Sequence, residues 1–258
     1  MGEVIYRPLI EDMTWSHSRL SCFDDCPYKF FLKYIRGEKE DDRFYSSYGK
    51  FMHSLLERFY KGELTKDEMQ MKFLFDFQKE VIGPRPQAST VSKFIKQGSE
   101  YLSGFTPLPY RMIAVEDRVD FNFAGFPFVG IIDYIGELDG KLYLVDNKSR
   151  EMKPRSNKKT PTQKDLELDK MLRQLYIYSE AVFQKYRRYP DYLCFNCYRN
   201  GAFIREPFSQ AAYDDAVSWV KQSVEYIAKE EDFNPCVDFF QCMWLCGYSD
   251  DCCYWNGR

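Results

Sequence analysis

Residues 130–149 read GIIDYIGELDGKLYLVDNKS. Leu138-Asp139-Gly140-Lys141 is a hairpin turn signal, because Asp-Gly accepts the backbone angles that a two-residue turn requires. The run Leu142-Tyr143-Leu144-Val145 that follows is apolar, aromatic and β-branched, the composition of a buried strand. Alternation along that strand sends Leu142, Leu144, Asp146 and Lys148 to one side, and Tyr143 and Val145 to the other. A carboxylate and an ammonium therefore emerge together at the end of a buried strand. Asp133, on the preceding strand of the same hairpin, comes alongside them.

Carboxylates with other oxygen ligands hold a hard divalent cation such as Mg²⁺ or Mn²⁺. Such a cation activates water and neutralises charge on a phosphodiester, and a neighbouring lysine orients the nucleophile. Asp-x-Lys is a common tripeptide, however, and an Asp-Gly hairpin with polar strand ends needs no chemistry. The segments around it weigh on the choice.

Working outward, helix signals precede the hairpin. Ser16 or Ser18 caps a helix that breaks at Cys26-Pro27 and resumes as an aromatic stretch over Tyr28–Ile35. Met52, Leu55, Leu56 and Phe59 fall at i, i+3, i+4 and i+7, so 48–61 is expected to be an amphipathic helix. Two more helices are expected over 66–82 and 90–104, separated by Gly83-Pro84-Arg85-Pro86. Strands are expected at 110–123, 126–136 and 141–148, and a long helix at 163–187. A hairpin turning at Arg199-Asn200-Gly201 follows, then a helix capped by Ser209. This order predicts an α/β fold around a mixed central sheet flanked by helices. Three parts are expected: an N-terminal helical region over 1–108, a core over 109–232 and a cysteine-rich C-terminal segment over 233–258.

Read together, these segments resemble the PD-(D/E)XK nuclease superfamily, and within it the RecB-type branch. Gly130-x-x-Asp133 followed by Asp146-x-Lys148-Ser149 is similar to the family's catalytic pair of motifs. Ser16-His17-Ser18-Arg19-Leu20 leading to Cys26-Pro27-Tyr28-Lys29-Phe30 resembles the branch's S-x-S-x-L and C-P-Y-x-F segments. Gly49 to His53 looks like its G-x-x-x-H helix, and Gln174 to Tyr178 its Q-x-x-x-Y helix. The match spans roughly residues 14–258. The resemblance implies a restriction-endonuclease-like core. It also implies that His53, Asp133 and Asp146 hold Mg²⁺ or Mn²⁺, that Lys148 assists the attacking water, and that Gln174 and Tyr178 position the strand. Asp146 stands where the family more often carries glutamate. His17 has no such motif and is expected at the surface or in a cap. Glu116 is a further carboxylate that either joins the metal site or forms a surface pair.

Nine cysteines are many for a chain without a signal peptide, since disulfides rarely persist in the cytosol. Cys26 before the core and Cys242, Cys246 and Cys252 after it resemble the ligand set of the iron–sulfur RecB-type nucleases, including AddB-like and CRISPR-adaptation members. The resemblance implies a [4Fe–4S] cluster joining the C-terminus to the N-terminal helical cap, with Zn²⁺ the alternative. Here the C-terminal spacing is C-x3-C-x5-C rather than the usual C-x2-C-x5-C, so Cys236, Cys253 or Cys22 could replace one ligand. Cys194-x-x-Cys197 lies in an expected strand, which sends its thiols to opposite faces and suits core packing.

The chain has 22 Phe, 20 Tyr and 4 Trp, a composition for a packed globular protein rather than a disordered one. No apolar run reaches membrane-spanning length and no signal peptide is visible, so a cytoplasmic location is expected. A net charge of −3 argues against a general polyanion-coating protein, but Lys141–Tyr189 holds thirteen Lys/Arg against six Asp/Glu. Within it, residues 149–164 (SREMKPRSNKKTPTQK) read as a mobile basic loop that contacts phosphates or merely connects elements.

No Walker-type motif is present, so the chain carries no helicase motor of its own. The expected function is a metal-dependent deoxyribonuclease, an exonuclease acting on free ends or single-stranded DNA in recombination, repair or spacer capture. Alternatives are a structure-specific endonuclease, a catalytically silent DNA-binding subunit and a zinc-binding scaffold. A homo-oligomer, or a recombination or CRISPR-adaptation partner protein, is compatible with the same reading.

Overall fold

The computed structural model describes residues 6–255. Residues 1–5 and 256–258, which the sequence reading assigns to the N-terminal region and the cysteine-rich tail, lie outside the described residues. In chain order the elements are α1 (Arg7–Glu11), α2 (His17–Asp25), α3 (Pro27–Phe30, continuing as a π-turn to Ile35), α4 (Phe44–Tyr60), α5 (Lys66–Glu80) and α6 (Ala88–Ser103). Strands β1 (Arg111–Phe123), β2 (Phe126–Leu138) and β3 (Lys141–Lys148) precede α7 (Gln163–Tyr186). Strands β4 (Tyr192–Cys197) and β5 (Ala202–Pro207), helix α8 (Gln210–Ile227) and a π-turn over Gln241–Leu245 complete the chain.

One mixed sheet runs in the order β1-β2-β3-β4-β5. Every neighbouring pair is antiparallel except β3 and β4, which are parallel and joined by α7. Parallel neighbours need a long crossover, and α7 supplies it. A Thr162–Asp165 capping box starts that helix and Arg187, in the left-handed region at φ 59°, ends it. Leu168, Leu172, Leu175 and Val182 of α7 join Val220 and Val224 of α8 in the core on one face of the sheet. Helices α4, α5 and α6 form a second core against the other face, centred on Tyr48, Met52, Phe73 and Phe94. The architecture is α/β, with a mixed sheet flanked by helices.

Strand β2 is much longer than its neighbour β3. β2 has 13 residues and β3 has 8, and their ladder covers only Tyr134–Leu138 of β2. The first half of β2 is therefore left with a free edge on that side. Trp15 takes part of it. Its N–H donates to the Pro127 carbonyl at 2.7 Å, and its own carbonyl accepts from the Val129 N–H at 2.8 Å. This pairing satisfies backbone groups that would otherwise be buried without partners. It also carries the start of α2 to the sheet centre.

The basic loop is more constrained than its composition suggests. Met152 is buried, and its carbonyl accepts from Asn200 Nδ2 at 2.8 Å. Arg155 pairs with Asp169 and Glu206, and Asp165 accepts from the Ser156 N–H and hydroxyl at 2.7 Å each. These pins hold the loop's first half, while Lys153, Lys158 and Lys159 stay exposed.

Candidate active site

Past the Tyr134↔Val145 pair, β2 and β3 part, and the Asn147 N–H would lose its ladder partner. The Asp133 carboxylate takes that role, with Oδ2 accepting from the Asn147 N–H at 2.7 Å. Across from it, helix α4 brings His53, whose Nδ1 stands 3.4 Å from the same oxygen. On the other side of β2, Glu116 of β1 lies opposite Asp133, between the pairs Val115↔Tyr134 and Asp117↔Ile132. Its backbone is left-handed at φ 46°, a conformation that costs a non-glycine residue about 1–3 kcal/mol.

His53, Glu116 and Asp133 each place one ligand atom within 4.8 Å of the other two, the only such group of three among the described residues. An octahedral cation with oxygen ligands at about 2.1 Å spaces those ligands roughly 3–4.2 Å apart, so the gap is of the right size. Carboxylate oxygens and an imidazole nitrogen are the donors that Mg²⁺ and Mn²⁺ accept. Burial and the nearby Asp146 charge push the Asp133 carboxyl up to about 6, and burial with the Asp133 and Glu57 charges pushes Glu116 up to about 7. Carboxylates crowded this way gain from a shared cation.

Asp146 is buried on the α7 side and sits with Lys148 rather than in the group of three. Lys148 Nζ is 2.7 Å from Asp146 Oδ2 and donates to Gln174 Oε1 at 2.7 Å. The approach to Asp146 lacks hydrogen-bond alignment, so Oδ2 is buried without a directed donor. That open lone pair, beside Asp133, suits a cation as well. The donor set thus fits the implied metal: His53, Glu116 and Asp133, with Asp146 adjoining.

Gln174 and Tyr178 occupy one face of α7, one turn apart. Tyr178 is buried against β2, and a Cβ on Gly130 would lie 2.5 Å from its ring. Glycine at 130 is what allows the tyrosine that close. Burial raises the Tyr178 hydroxyl to about 12, with Gln174 and the Ile131 backbone beside it.

His17, expected at the surface or in a cap, is half-buried at a helix start. It opens α2 beside Lys148 and Arg173, with its ring 6.0 Å from that of Trp219. Burial and those two cations lower it to about 3, so it is neutral near pH 7. Asn196 and Tyr198, both buried beside the site, were not legible as site residues. Their types are unremarkable and nothing local marks them.

Away from this site, Cys26, Cys236, Cys242, Cys246 and Cys252, drawn from both ends of the chain, line one cavity with Tyr28, Leu32 and Trp255. Cys26 caps α3, its sulfur accepting from the Lys29 N–H at 3.4 Å. Cys194 and Cys197 face opposite cores, as alternation requires.

The model of the PD-(D/E)XK nuclease superfamily matches residues 14–253. The chain belongs to the PD-(D/E)XK nuclease superfamily. Members hydrolyse phosphodiesters with a divalent metal, which agrees with the donor set above. Among solved structures, a protein from Eubacterium rectale described as a presumed exonuclease is 13% identical, with a TM-score of 0.52. The alignment covers 92% of this nuclease and 90% of that chain, and it supports the fold. SSO0001 is 17% identical over 72% of this chain and 80% of its own, with a TM-score of 0.33. No curated protein matches. No helix among the described residues is long and apolar enough to cross a membrane.

Proposed function

We propose that this nuclease is a Mg²⁺- or Mn²⁺-dependent deoxyribonuclease of the RecB-type branch that trims DNA from free ends or single strands. The observation that carries the reading is the cluster of His53, Glu116 and Asp133 ligand atoms beside the Asp146–Lys148 pair. His53, Asp133 and Asp146 would hold the cation, with Glu116 as an added ligand. When bound, the cation would lower the pKa of a water and screen the phosphate charge. Lys148, fixed between Asp146 and Gln174, presents its ammonium where negative charge develops on the scissile phosphate. Gln174 holds Lys148, and Tyr178 fills the space above Gly130 and braces Gln174. The exposed Lys153, Lys158 and Lys159 would contact backbone phosphates.

The role in recombination, repair or spacer capture, and a partner protein or second copy serving it, belong to the same proposal. End-labelled linear, nicked and circular DNA, incubated with Mn²⁺, test it. Wild type should shorten linear ends, and Lys148→Ala should lose about 10²–10³ in rate while still binding DNA. Cutting of circles would make it an endonuclease instead. Equal inertness of both proteins with equal DNA binding would make it a silent binding subunit.

A [4Fe–4S] cluster on Cys26, Cys242, Cys246 and Cys252 is part of the proposal. The shared cavity supports it. Zn²⁺ on the same thiolates is the alternative. Anaerobically purified protein should be brown and contain iron, and a colourless zinc protein would refute the cluster.

A further inference from the structure

Strand β4 contributes no ligand, yet its last residues and Tyr198 just after it reach both sides of the cation cluster. Asn196 pairs with Asn147 across the parallel ladder, and both are buried, on the face opposite Asp146 and Lys148. Asn196 Nδ2 donates to Asn147 Oδ1 at 2.8 Å and to the Tyr101 hydroxyl at 2.8 Å, and that hydroxyl lies 3.2 Å from Asn196 Oδ1. Both polar atoms of the Asn196 amide are thereby satisfied. Asn147 is the residue whose N–H holds Asp133.

Two residues on, Tyr198 is fully buried, and its N–H continues the ladder to the Lys148 carbonyl at 3.3 Å. Its hydroxyl donates to the Gly49 carbonyl at 3.4 Å and meets the Ser149 side chain. Gly49 lies one helical turn before His53, and a Cβ there would come 3.2 Å from Ser149 Oγ. The Tyr198 ring stands 6.0 Å from the His53 ring, nearly perpendicular to it.

We propose that the end of β4 is the positioning edge of the metal site: Asn196, through Asn147, sets Asp133, and Tyr198, through Gly49 and ring contact, sets His53. The proposal rests on the reading of those residues as ligands. Buried polar networks that are fully satisfied fix one arrangement of their members, and groups behind metal ligands change metal affinity about 10–100-fold when removed.

The test measures Mn²⁺ affinity by electron paramagnetic resonance of the free ion, beside thermal unfolding and DNA cleavage. The proteins are wild type, Asp133→Ala, Asn196→Ala, Tyr198→Phe, Tyr101→Phe and Ile204→Ala. Ile204 is a buried core residue of β5 outside the network, so its truncation destabilises through packing alone. Asn196→Ala should weaken Mn²⁺ binding about 10–100-fold, and Tyr198→Phe should weaken it several-fold. Their cleavage should recover at saturating Mn²⁺ with KM for DNA unchanged, and Ile204→Ala should bind Mn²⁺ like wild type.

Wild-type affinity in Asn196→Ala and Tyr198→Phe would overturn the inference and leave the metal site standing, as would equal weakening in Ile204→Ala. Should Asn196→Ala fail to fold, Tyr198→Phe and Tyr101→Phe, which keep their rings, decide by the same criterion. If wild type and Asp133→Ala bind Mn²⁺ equally poorly, the ligand assignment itself fails and the inference falls with it.

Discussion

The cation cluster and the cysteine cavity are the two places where this nuclease gathers metal-binding side chains, and they are built in opposite ways. His53, Glu116 and Asp133 are hard donors on regular elements, two of them facing each other across a β-ladder. The cysteines are soft donors on a helix cap, a π-turn and irregular chain, drawn from segments more than two hundred residues apart. The first arrangement tolerates charge repulsion and a left-handed glutamate in order to present oxygen atoms to an ion. A metal group bound to the second would close a very long loop. One site thus spends folding stability on chemistry, and the other should return it through connectivity.

Paired substitutions would sharpen this contrast most. Asp133→Ala should lower cleavage about a thousandfold, the scale of losing a principal charge-stabilising group, with only a small net change in thermal stability, because relief of the crowded carboxylates offsets the lost bond from the Asn147 N–H. Cys246→Ser should do the reverse. Its unfolding temperature should drop by about 10 °C, from a cross-link worth about 3–5 kcal/mol, while any folded fraction keeps its Mn²⁺ affinity. Calorimetry and a labelled-DNA assay on the two variants check both halves. A stable, active Cys246→Ser protein would erase the distinction.

A smaller effect is expected at Gly130. An alanine there meets the Tyr178 ring at 2.5 Å and must displace it, at a cost of about 1–3 kcal/mol. Denaturant unfolding should register the loss. A second change, Tyr178→Ala, should recover part of the stability but not the cleavage rate, because the brace on Gln174 is gone.

The smallest effect is pH dependence. Asp133 and Glu116 lie above their ordinary values in the folded chain, about 6 and 7, with burial the first cause. The folded state therefore holds these protons more tightly than the unfolded one. The associated stability is fully present below about pH 4 and is lost as pH rises through 6 to 7. In EDTA, wild type should lose a few degrees of unfolding temperature between pH 5 and 8 relative to the Asp133→Asn variant. Saturating Mn²⁺ should abolish the difference, since the cation favours the ionised carboxylates. The opposite trend in EDTA would mean that the carboxylates are not crowded.

The parts of this molecule that obey local rules were readable from sequence. The Asp139-Gly140 turn, the limits of β3 and the shared face of Asp146 and Lys148 follow from turn chemistry and alternation. The same holds for Gln174 and Tyr178 on α7, and helix periodicity placed His53 within α4. What escaped depends on contacts between distant segments. His17 was expected at the surface or in a cap, because nothing in its neighbourhood shows that Trp15 would pair with β2 and carry α2 against Lys148. Glu116 could not be chosen over a surface pair without the register that sets it opposite Asp133. Asn196 and Tyr198 matter only through their partners on β3, α4 and α6. The first half of the basic loop owes its anchoring to Asp165, Asp169 and Glu206, a set that its own composition does not reveal.

Arg43 stands at the start of α4, almost fully buried, with its guanidinium donating to the Cys246 carbonyl at 2.8 Å, to Ser249 Oγ at 2.7 Å and to Asp250 at 3.1 Å. One guanidinium thus ties the first turn of the His53 helix to residues some two hundred positions further along. Loosening of the cysteine-rich segment would therefore be felt at the base of that helix, because a buried cation stripped of its acceptors is costly to leave behind.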